Sequence, residues 1–380
     1  MRKDKTKLNI AMLGQKHVPS REGGVEIVVE ELSTRMAQRG HDVTCYNRKG
    51  HHISGKEFDS KKLREYKGVK LKSVFTINRK GLAAMTSSLF ASIRVSLGRY
   101  DVVHYHAEGP CGMLWIPRLF GKHCIATIHG IDWQRAKWNG FATKYIRFGE
   151  RIAAKCADEI IVLSRHVQDY FYETYNRKTV FIPNGVNKPE KKEADLIKDR
   201  WGLEKDDYIL FLGRLVPEKG ITYLLKAFRG GHTDKKLVIS GGSSDTEDFE
   251  KELRKLAEDD ERIIFTGFTE GQELEELYSN AYIYVLPSDL EGMPLSLLEA
   301  MSYGNCCLTS DIPECTEVVE DKAVIFKKGD IEDLSAKLQY LSDNPDIVQR
   351  YKEMASDFIC NKYNWEDIVD KTLELYKSRK

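Results

Sequence analysis

Short runs of β-branched and aliphatic residues alternate with longer amphipathic stretches along the whole chain, and this alternation restricts the fold more than any other feature. In the first half the apolar runs are 8–14, 42–47, 69–75, 101–106, 124–130, 159–164 and 179–184. Between them lie stretches of helical period, such as 25–40, where Ile27, Val28, Leu32 and Met36 share a face and Gly40 ends it. Strands separated by helices form parallel sheets with right-handed crossovers. The pattern restarts with runs at 208–213, 236–241, 262–267, 281–287, 306–310 and 323–328, with helical stretches such as 247–259 and 274–281 between them. No short tandem repeat accompanies it, so the chain reads as two α/β bodies of one architecture rather than as a solenoid.

A length of 380 residues suits two domains of roughly 150–200 residues each. The break falls within 183–203, where Pro183, Asn184 and Gly185 lead into a charged run. The expected division is an N-terminal Rossmann-like domain at 1–185, a C-terminal Rossmann-like domain at 186–362, and a closing helix at 363–380 that packs back toward the N-terminal domain. Asn364 is placed to cap that helix, whose apolar contacts come from Trp365, Ile368, Leu373 and Tyr376. Doubly wound sheets bind ligands beyond the carboxyl ends of their strands. Two such domains facing a central cleft would bring their ligand loops together there.

Composition removes several classes. A hydrophobic content of 41% fills two cores and excludes a disordered or collagen-like chain. The eight cysteines are scattered, with no Cys-x-x-Cys pair, and read as reduced core thiols of a cytoplasmic protein. The basic opening segment has too short an apolar stretch for a leader, and no window reaches the ~20 apolar residues of a membrane span. The net charge of +1 conceals a division: residues 1–180 carry 32 Lys and Arg against 17 Asp and Glu, and the remainder carry 27 against 41. A basic half suits an anionic surface or an anionic acceptor, and simple solvation of a charged surface is the plainer alternative.

The sharpest motif is 288–304. It follows the run 281–287, places Glu291 in a loop with Gly292 at a tight turn and Pro294 in the first helical turn, and sets Glu299 eight residues on, a little over two turns. The helix start offers unpaired backbone N–H groups and a partial positive charge, which suit a diphosphate, while the carboxylates accept bonds from sugar hydroxyls. A second motif, 211–221, turns at Gly213 and carries Arg214 and Lys219, two cations able to neutralise a diphosphate leaving group.

The first half holds softer signals. Gly23 and Gly24 let backbone approach a phosphate or sugar, or form a plain turn; the spacing is not that of a dinucleotide fingerprint. His129 ends a run and is followed by Trp133, Arg135, Lys137 and Trp138, aromatic faces and cations that suit a sugar acceptor or ordinary packing. His104 and His106 have a metal-like spacing but no third ligand, so no metal is expected. In 79–100, Leu82, Met85, Leu89, Ile93 and Leu97 share a helical face with Arg79, Lys80, Arg94 and Arg99 at the ends; it packs on the sheet or lies on an anionic membrane.

Taken together, EGMPLSLLEAMSYG (291–304), FLGRLVPEKGI (211–221), FIPNGV (181–186) and GGVE (23–26) resemble the large family-4 class of retaining GT-B glycosyltransferases. The resemblance implies a GT-B fold and transfer of a sugar from a nucleotide-diphosphate donor without a bound metal or other cofactor. It implies that Glu291 contacts the donor sugar and Glu299 the ribose hydroxyls, that Arg214 and Lys219 hold the diphosphate, that Gly292, Met293, Pro294 and Leu295 complete the donor loop, that Gly23 and Gly24 close on the diphosphate, and that His129 lies near the transferred sugar. Trp133, Arg135 and Trp138 are the expected acceptor residues. The first half, with 23–43 and 129–138, is similar to bacterial rhamnosyltransferase-type enzymes of capsule, O-antigen or cell-wall polysaccharide assembly. That implies a glycan or polyprenyl-linked acceptor, no nucleic-acid partner, and a cytoplasmic location at the inner face of the membrane. Asn305, Cys306 and Cys307 stand where members of that class usually have Gly or Ala with Pro and Val, a packing variation. A nucleotide-sugar epimerase of the same shape and a non-catalytic partner of a transferase are the alternatives.

Overall fold

The computed structural model describes residues 7–50, 63–79, 81–134, 140–242 and 246–378. The chain separates into two compact units, residues 1–184 together with 365–380, and residues 185–364.

In the first unit the strands are β1 (Asn9–Leu13), β2 (Asp42–Arg48), β3 (Glu65–Tyr66), β4 (Val69–Val74), β5 (Val102–His106), β6 (His123–Ile128), β7 (Glu159–Val162) and β8 (Val180–Phe181). They form one sheet in the order β3-β4-β2-β1-β5-β6-β7-β8, parallel except for β3 against β4. Ile10 sits between Val43 and Val102 in register, so the middle of the sheet is apolar across neighbouring strands. β5 and β6 are buried along their whole length, which is why they read as continuous apolar runs rather than alternating ones.

Three details differ from expectation. The short strand β3 has too little apolar character to signal itself; it is a hairpin made by Lys67 and Gly68, both at positive φ. β8 shrinks from 179–184 to two residues because Pro183 has no N–H to give the ladder. The helix Leu82–Leu97 turns an unexpected face inward: Ser87, Ser88, Ala91, Ser92, Val95 and Ser96 are buried, while Ile93 and Leu97 are exposed. The inward hydroxyls of Ser88, Ser92 and Ser96 each donate to the carbonyl four residues back at 2.7 Å, so their burial leaves no polar group unpaired.

The closing helix is Trp365–Lys377, and it belongs to the first unit. Tyr376 is buried with its hydroxyl 2.6 Å from His104 Nδ1, and Arg35 Nε reaches Glu366 at 3.0 Å. Tyr363 and Asn364, assigned to this segment from sequence, instead stay with the second unit, where Val186 N–H donates to the Tyr363 carbonyl.

The second unit contains β9 (Tyr208–Leu212), β10 (Lys236–Ser240), β11 (Ile263–Gly267), β12 (Ile283–Leu286), β13 (Cys306–Ser310) and β14 (Val324–Phe326). All pairs are parallel, in the order β11-β10-β9-β12-β13-β14. The side to which successive strands are added reverses between β9 and β12, as it does between β1 and β5 in the first unit. These are the switch points, where the loops leaving adjacent strands run to opposite faces and open a crevice at the carboxyl ends. Cys306 and Cys307 are fully buried in β13, and all eight cysteines are free thiols.

Candidate active site

In the second unit the chain leaves β9 at Leu212. Gly213 N–H donates to the Ser240 carbonyl and Leu215 N–H to that of Gly242, so this loop runs beside the loop leaving β10. Gly241 has φ +141°, and a Cβ there would sit 1.8 Å from the Gly213 carbonyl oxygen, a contact only glycine permits. Arg214 is half-buried in the loop that follows the strand. A single 3₁₀ turn, Pro217–Lys219, follows. Gly220, at φ +66°, then opens the helix Ile221–Gly230; its missing Cβ would lie 1.9 Å from the Pro287 carbonyl oxygen.

That contact brings the loop after β9 against the loop after β12. Asp289 N–H donates to the Glu218 carbonyl, and Tyr223 OH donates to Asp289 Oδ2 at 2.9 Å. Lys219 Nζ then meets Glu291 Oε1 at 2.6 Å, and Ser288 Oγ donates to the same oxygen at 2.7 Å. The side chains of the pair are 12% and 9% exposed, so the charges sit in a largely desolvated place where electrostatic interactions are stronger than in water.

Gly292, Met293, Pro294 and Leu295 are buried between Glu291 and the helix Leu295–Ser302. Pro294 stands at the N-cap, φ −76° and ψ 97°, one position earlier than the first helical turn expected of it, and its carbonyl accepts from Leu297 and Leu298. Glu299 lies in the second turn. Tyr278 OH donates to its Oε2 at 3.2 Å, and the Tyr278 ring stacks on Tyr303 with centroids 5.3 Å apart. Ser288, Tyr223, Asp289 and Tyr278 were not singled out from sequence. Their types carry no motif, and only the strand order reveals that they converge.

In the first unit Gly23 is extended (φ −173°), so its torsion does not require glycine; its lack of a side chain leaves room beside Glu26. Gly24 begins the helix Gly24–Gln38 and is exposed. Lys16 N–H donates to Glu26 Oε1 at 2.8 Å, tying this helix start back to the segment that leaves β1. His129 follows β6 and is buried, with Nε2 3.1 Å from His106 Nδ1. The His106 ring packs 4.1 Å from that of His104, which bonds Tyr376 and Thr127. Among the described residues no group of three or more His, Cys, Asp or Glu is placed to hold a metal ion.

Trp133 is moored rather than free. Its indole N–H donates to Glu150 Oε2 at 3.1 Å, and the Arg147 guanidinium covers its ring at 3.9 Å. Asp132 N–H donates to Glu108 Oε2, and Tyr170 OH to Glu150 Oε1. Arg135 and Trp138 lie outside the described residues.

Residues 22–188 match the family model for Glycosyltransferase Family 4, and residues 193–365 match that for Glycosyl transferases group 1. The chain is a GT-B glycosyltransferase of the family-4 kind. The transferase is 25% identical to the uncharacterized glycosyltransferase MJ1607 of Methanocaldococcus jannaschii, over 97% of this chain and 98% of that one. It is 27% identical to the UDP-Gal:alpha-D-GlcNAc-diphosphoundecaprenol alpha-1,3-galactosyltransferase of Escherichia coli, over 73% of this chain and 75% of that one. Anabaena Alr3699/HepE, solved with UDP and glucose, superposes with a TM-score of 0.81 at 17% identity, covering 98% of this chain and 100% of that one; at that identity the likeness speaks for the fold.

The histidines of the transferase make a testable contribution to its stability. Burial holds the His104 imidazole down to about 3, with His129 adding to the effect, and burial also holds His106 well below its ordinary value. In the unfolded chain a histidine takes up its proton near pH ~6.5. Between these values the unfolded state binds more protons, so stability falls as pH drops, by up to about 1.4 kcal/mol per pH unit for each such histidine. The melting temperature is expected to decline from about pH 6.5 to about pH 4.5, with a shallower slope in His104→Gln. Identical slopes in both proteins would remove His104 from the account.

Proposed function

We propose that the protein transfers a glycosyl group from a nucleoside-diphosphate sugar, with retention of anomeric configuration and without a metal, to a glycan or polyprenyl-linked acceptor in cell-surface polysaccharide assembly, and that a rhamnosyl donor is the first to try. The observation that carries the donor half of this reading is the Lys219–Glu291 pair at the β9/β12 switch point, beside the start of the helix Leu295–Ser302. A lysine ammonium has three donors. Glu291 takes one, and the others can meet a diphosphate. Similar proteins support the substrate class: Anabaena HepE was solved with UDP-glucose, and the Escherichia coli relative is a galactosyltransferase named for a diphosphoundecaprenol acceptor. The O-antigen chain mannosyltransferase RfbU of Salmonella typhimurium supports the polysaccharide setting.

In the proposed reaction the bond from the anomeric carbon to the diphosphate oxygen breaks, and the electron pair leaves with the nucleoside diphosphate. The acceptor hydroxyl attacks from the same face, and its proton passes to the departing phosphate oxygen. Arg214, Lys219 and the helix start after Pro294 stabilise the negative charge that grows on the leaving group. Glu291 orients the sugar hydroxyls and Glu299 the ribose. In the first unit Gly23 and Gly24 offer backbone N–H groups to the diphosphate, and His129 stands beside the transferred sugar. Product NMR showing an inverted anomeric centre would dispose of the front-face course.

A thermal-shift panel of nucleoside diphosphates and their sugars tests the donor half. A ligand that binds only the native state raises its stability by about 2.7 kcal/mol at a hundredfold excess over Kd. One base is expected to give such a rise, and Arg214→Ala to reduce it by most of its size. No shift with any diphosphate would end the reading.

A further inference from the structure

The helix Leu82–Leu97 is built the wrong way round for water. Its inner face is four serines with Ala91 and Val95, while Phe90, Ile93 and Leu97, spaced three and four residues apart, point out of the unit. Leu97 is 75% exposed. The short helix Trp115–Leu119 packs against this one and continues the pattern: Leu119 is 75% and Phe120 58% exposed, and Trp115 is also exposed. Phe75, beyond β4, sets its ring 5.1 Å from Phe90. Single exposed apolar residues are ordinary. A run of large aromatic and aliphatic side chains on two adjoining helices is not, and marks a surface made for another apolar phase.

The charges around it select the phase. Arg94 and Arg99 are exposed on the helix and just beyond it, and Arg118 is exposed between Trp115 and Leu119. At the end of the helix a cavity of about 440 Å³ is lined by Lys72, Arg94, Arg99 and the phenols of Tyr46 and Tyr100, which lie 3.0 Å apart. Asp42 also lines it, but is already bridged to Lys7 and Lys70. Cations and tyrosines beside an apolar row reproduce the vertical order of a membrane interface: acyl chains, then an anionic headgroup layer. No helix among the described residues is long and apolar enough to cross a membrane, so the contact would be with the surface of a leaflet.

We infer that this face seats the protein on an anionic lipid bilayer: Phe90, Ile93, Leu97, Trp115 and Leu119 enter the acyl boundary, and Lys72, Arg94 and Arg99 bind phosphate headgroups. The inference rests on the proposed function only in that a polyprenyl-linked acceptor lies in such a bilayer.

Full-length protein is floated with vesicles of phosphatidylcholine alone and with phosphatidylglycerol at about 30 mol %. It rises with the anionic vesicles, not with the neutral ones, and less so as salt increases, since each cation near the leaflet is worth about a fivefold change in partition. Leu97→Asp with Leu119→Asp lowers partition at least about tenfold, as does Arg94→Glu with Arg99→Glu; far-ultraviolet circular dichroism and the melting shift given by a nucleoside diphosphate stay as in the unaltered protein. Millimolar inorganic phosphate does not compete, which separates a headgroup layer from a free anion site. Equal partition of unaltered protein and variants, no partition at all, or a dimer in the absence of lipid that Leu97→Asp dissociates would each overturn the inference. The nucleotide shift is read separately, so loss of membrane binding leaves the donor reading standing, and the reverse.

Discussion

Lys219→Ala is expected to lower turnover by about 10²–10³, in the range seen when one preorganised donor to a developing oxyanion is removed. The loss comes from two sources. In the proposed reaction the departing diphosphate loses a cation held at a strand end by a single 3₁₀ turn, and Glu291, still bonded by Ser288, keeps its carboxylate in a largely desolvated place without the lysine's charge. The second source predicts a pattern: Glu291→Gln, which keeps a group able to accept from Ser288, should weaken donor-sugar binding more than it weakens binding of the bare nucleoside diphosphate. Steady-state kinetics with the donor identified by thermal shift, together with binding of the diphosphate alone, separate the two. If Lys219→Ala turns over within about fivefold of the unaltered enzyme, the leaving group is stabilised elsewhere.

Gly220→Ala is expected to destabilise the second unit by about 3–5 kcal/mol, the sum of left-handed strain and a collision with fixed backbone. The added methyl would meet the Pro287 carbonyl oxygen at 1.9 Å, and neither partner is the far end of a flexible side chain. Relief requires the loops after β9 and β12 to part, which separates Lys219 from Glu291. Denaturant unfolding followed by fluorescence, and nucleotide affinity at a temperature where the variant is folded, should both register the change. A Gly220→Ala protein of unaltered stability would show that the two loops are not clamped together as the backbone contact indicates.

Much of this was legible in the residues, for physical reasons that can be named. Largely buried parallel strands such as β9 and β12 read as apolar runs, and the partly exposed β4 showed itself by Val69 and Leu71 alternating with lysines, while β3 depended on a Lys67-Gly68 turn that carries little hydrophobic signal. The Glu291 to Glu299 spacing and the Arg214 to Lys219 spacing were visible because each lies within one strand–turn–helix step. What joins them was not. The Lys219–Glu291 bond spans 72 residues and exists because β9 and β12 are neighbours in the sheet, a fact of strand order rather than of local pattern. The partners of Trp133 were also hidden, because they lie along a helix further down the chain: Glu150, seventeen positions away, takes its N–H, and Arg147 takes a face. Helix Leu82–Leu97 misled in a different way. Periodicity identified an apolar stripe correctly but could not say which side of the helix met the sheet, and the serines won because they allow close approach while closing their own hydroxyls on the helix backbone.

The return of the final helix to the first unit orders events during synthesis. Residues 1–184 leave the ribosome about 180 residues before Trp365, Ile368, Leu373 and Tyr376 exist, and these side chains are buried only in that early-made body. Until the helix Trp365–Lys377 is made, His104 lacks the phenol that bonds it and the helix Gly24–Gln38 lacks its partner. The younger unit, by contrast, is contiguous in the polypeptide and has every strand of its sheet as soon as β14 is made. A nascent chain of this protein therefore completes its second half before its first.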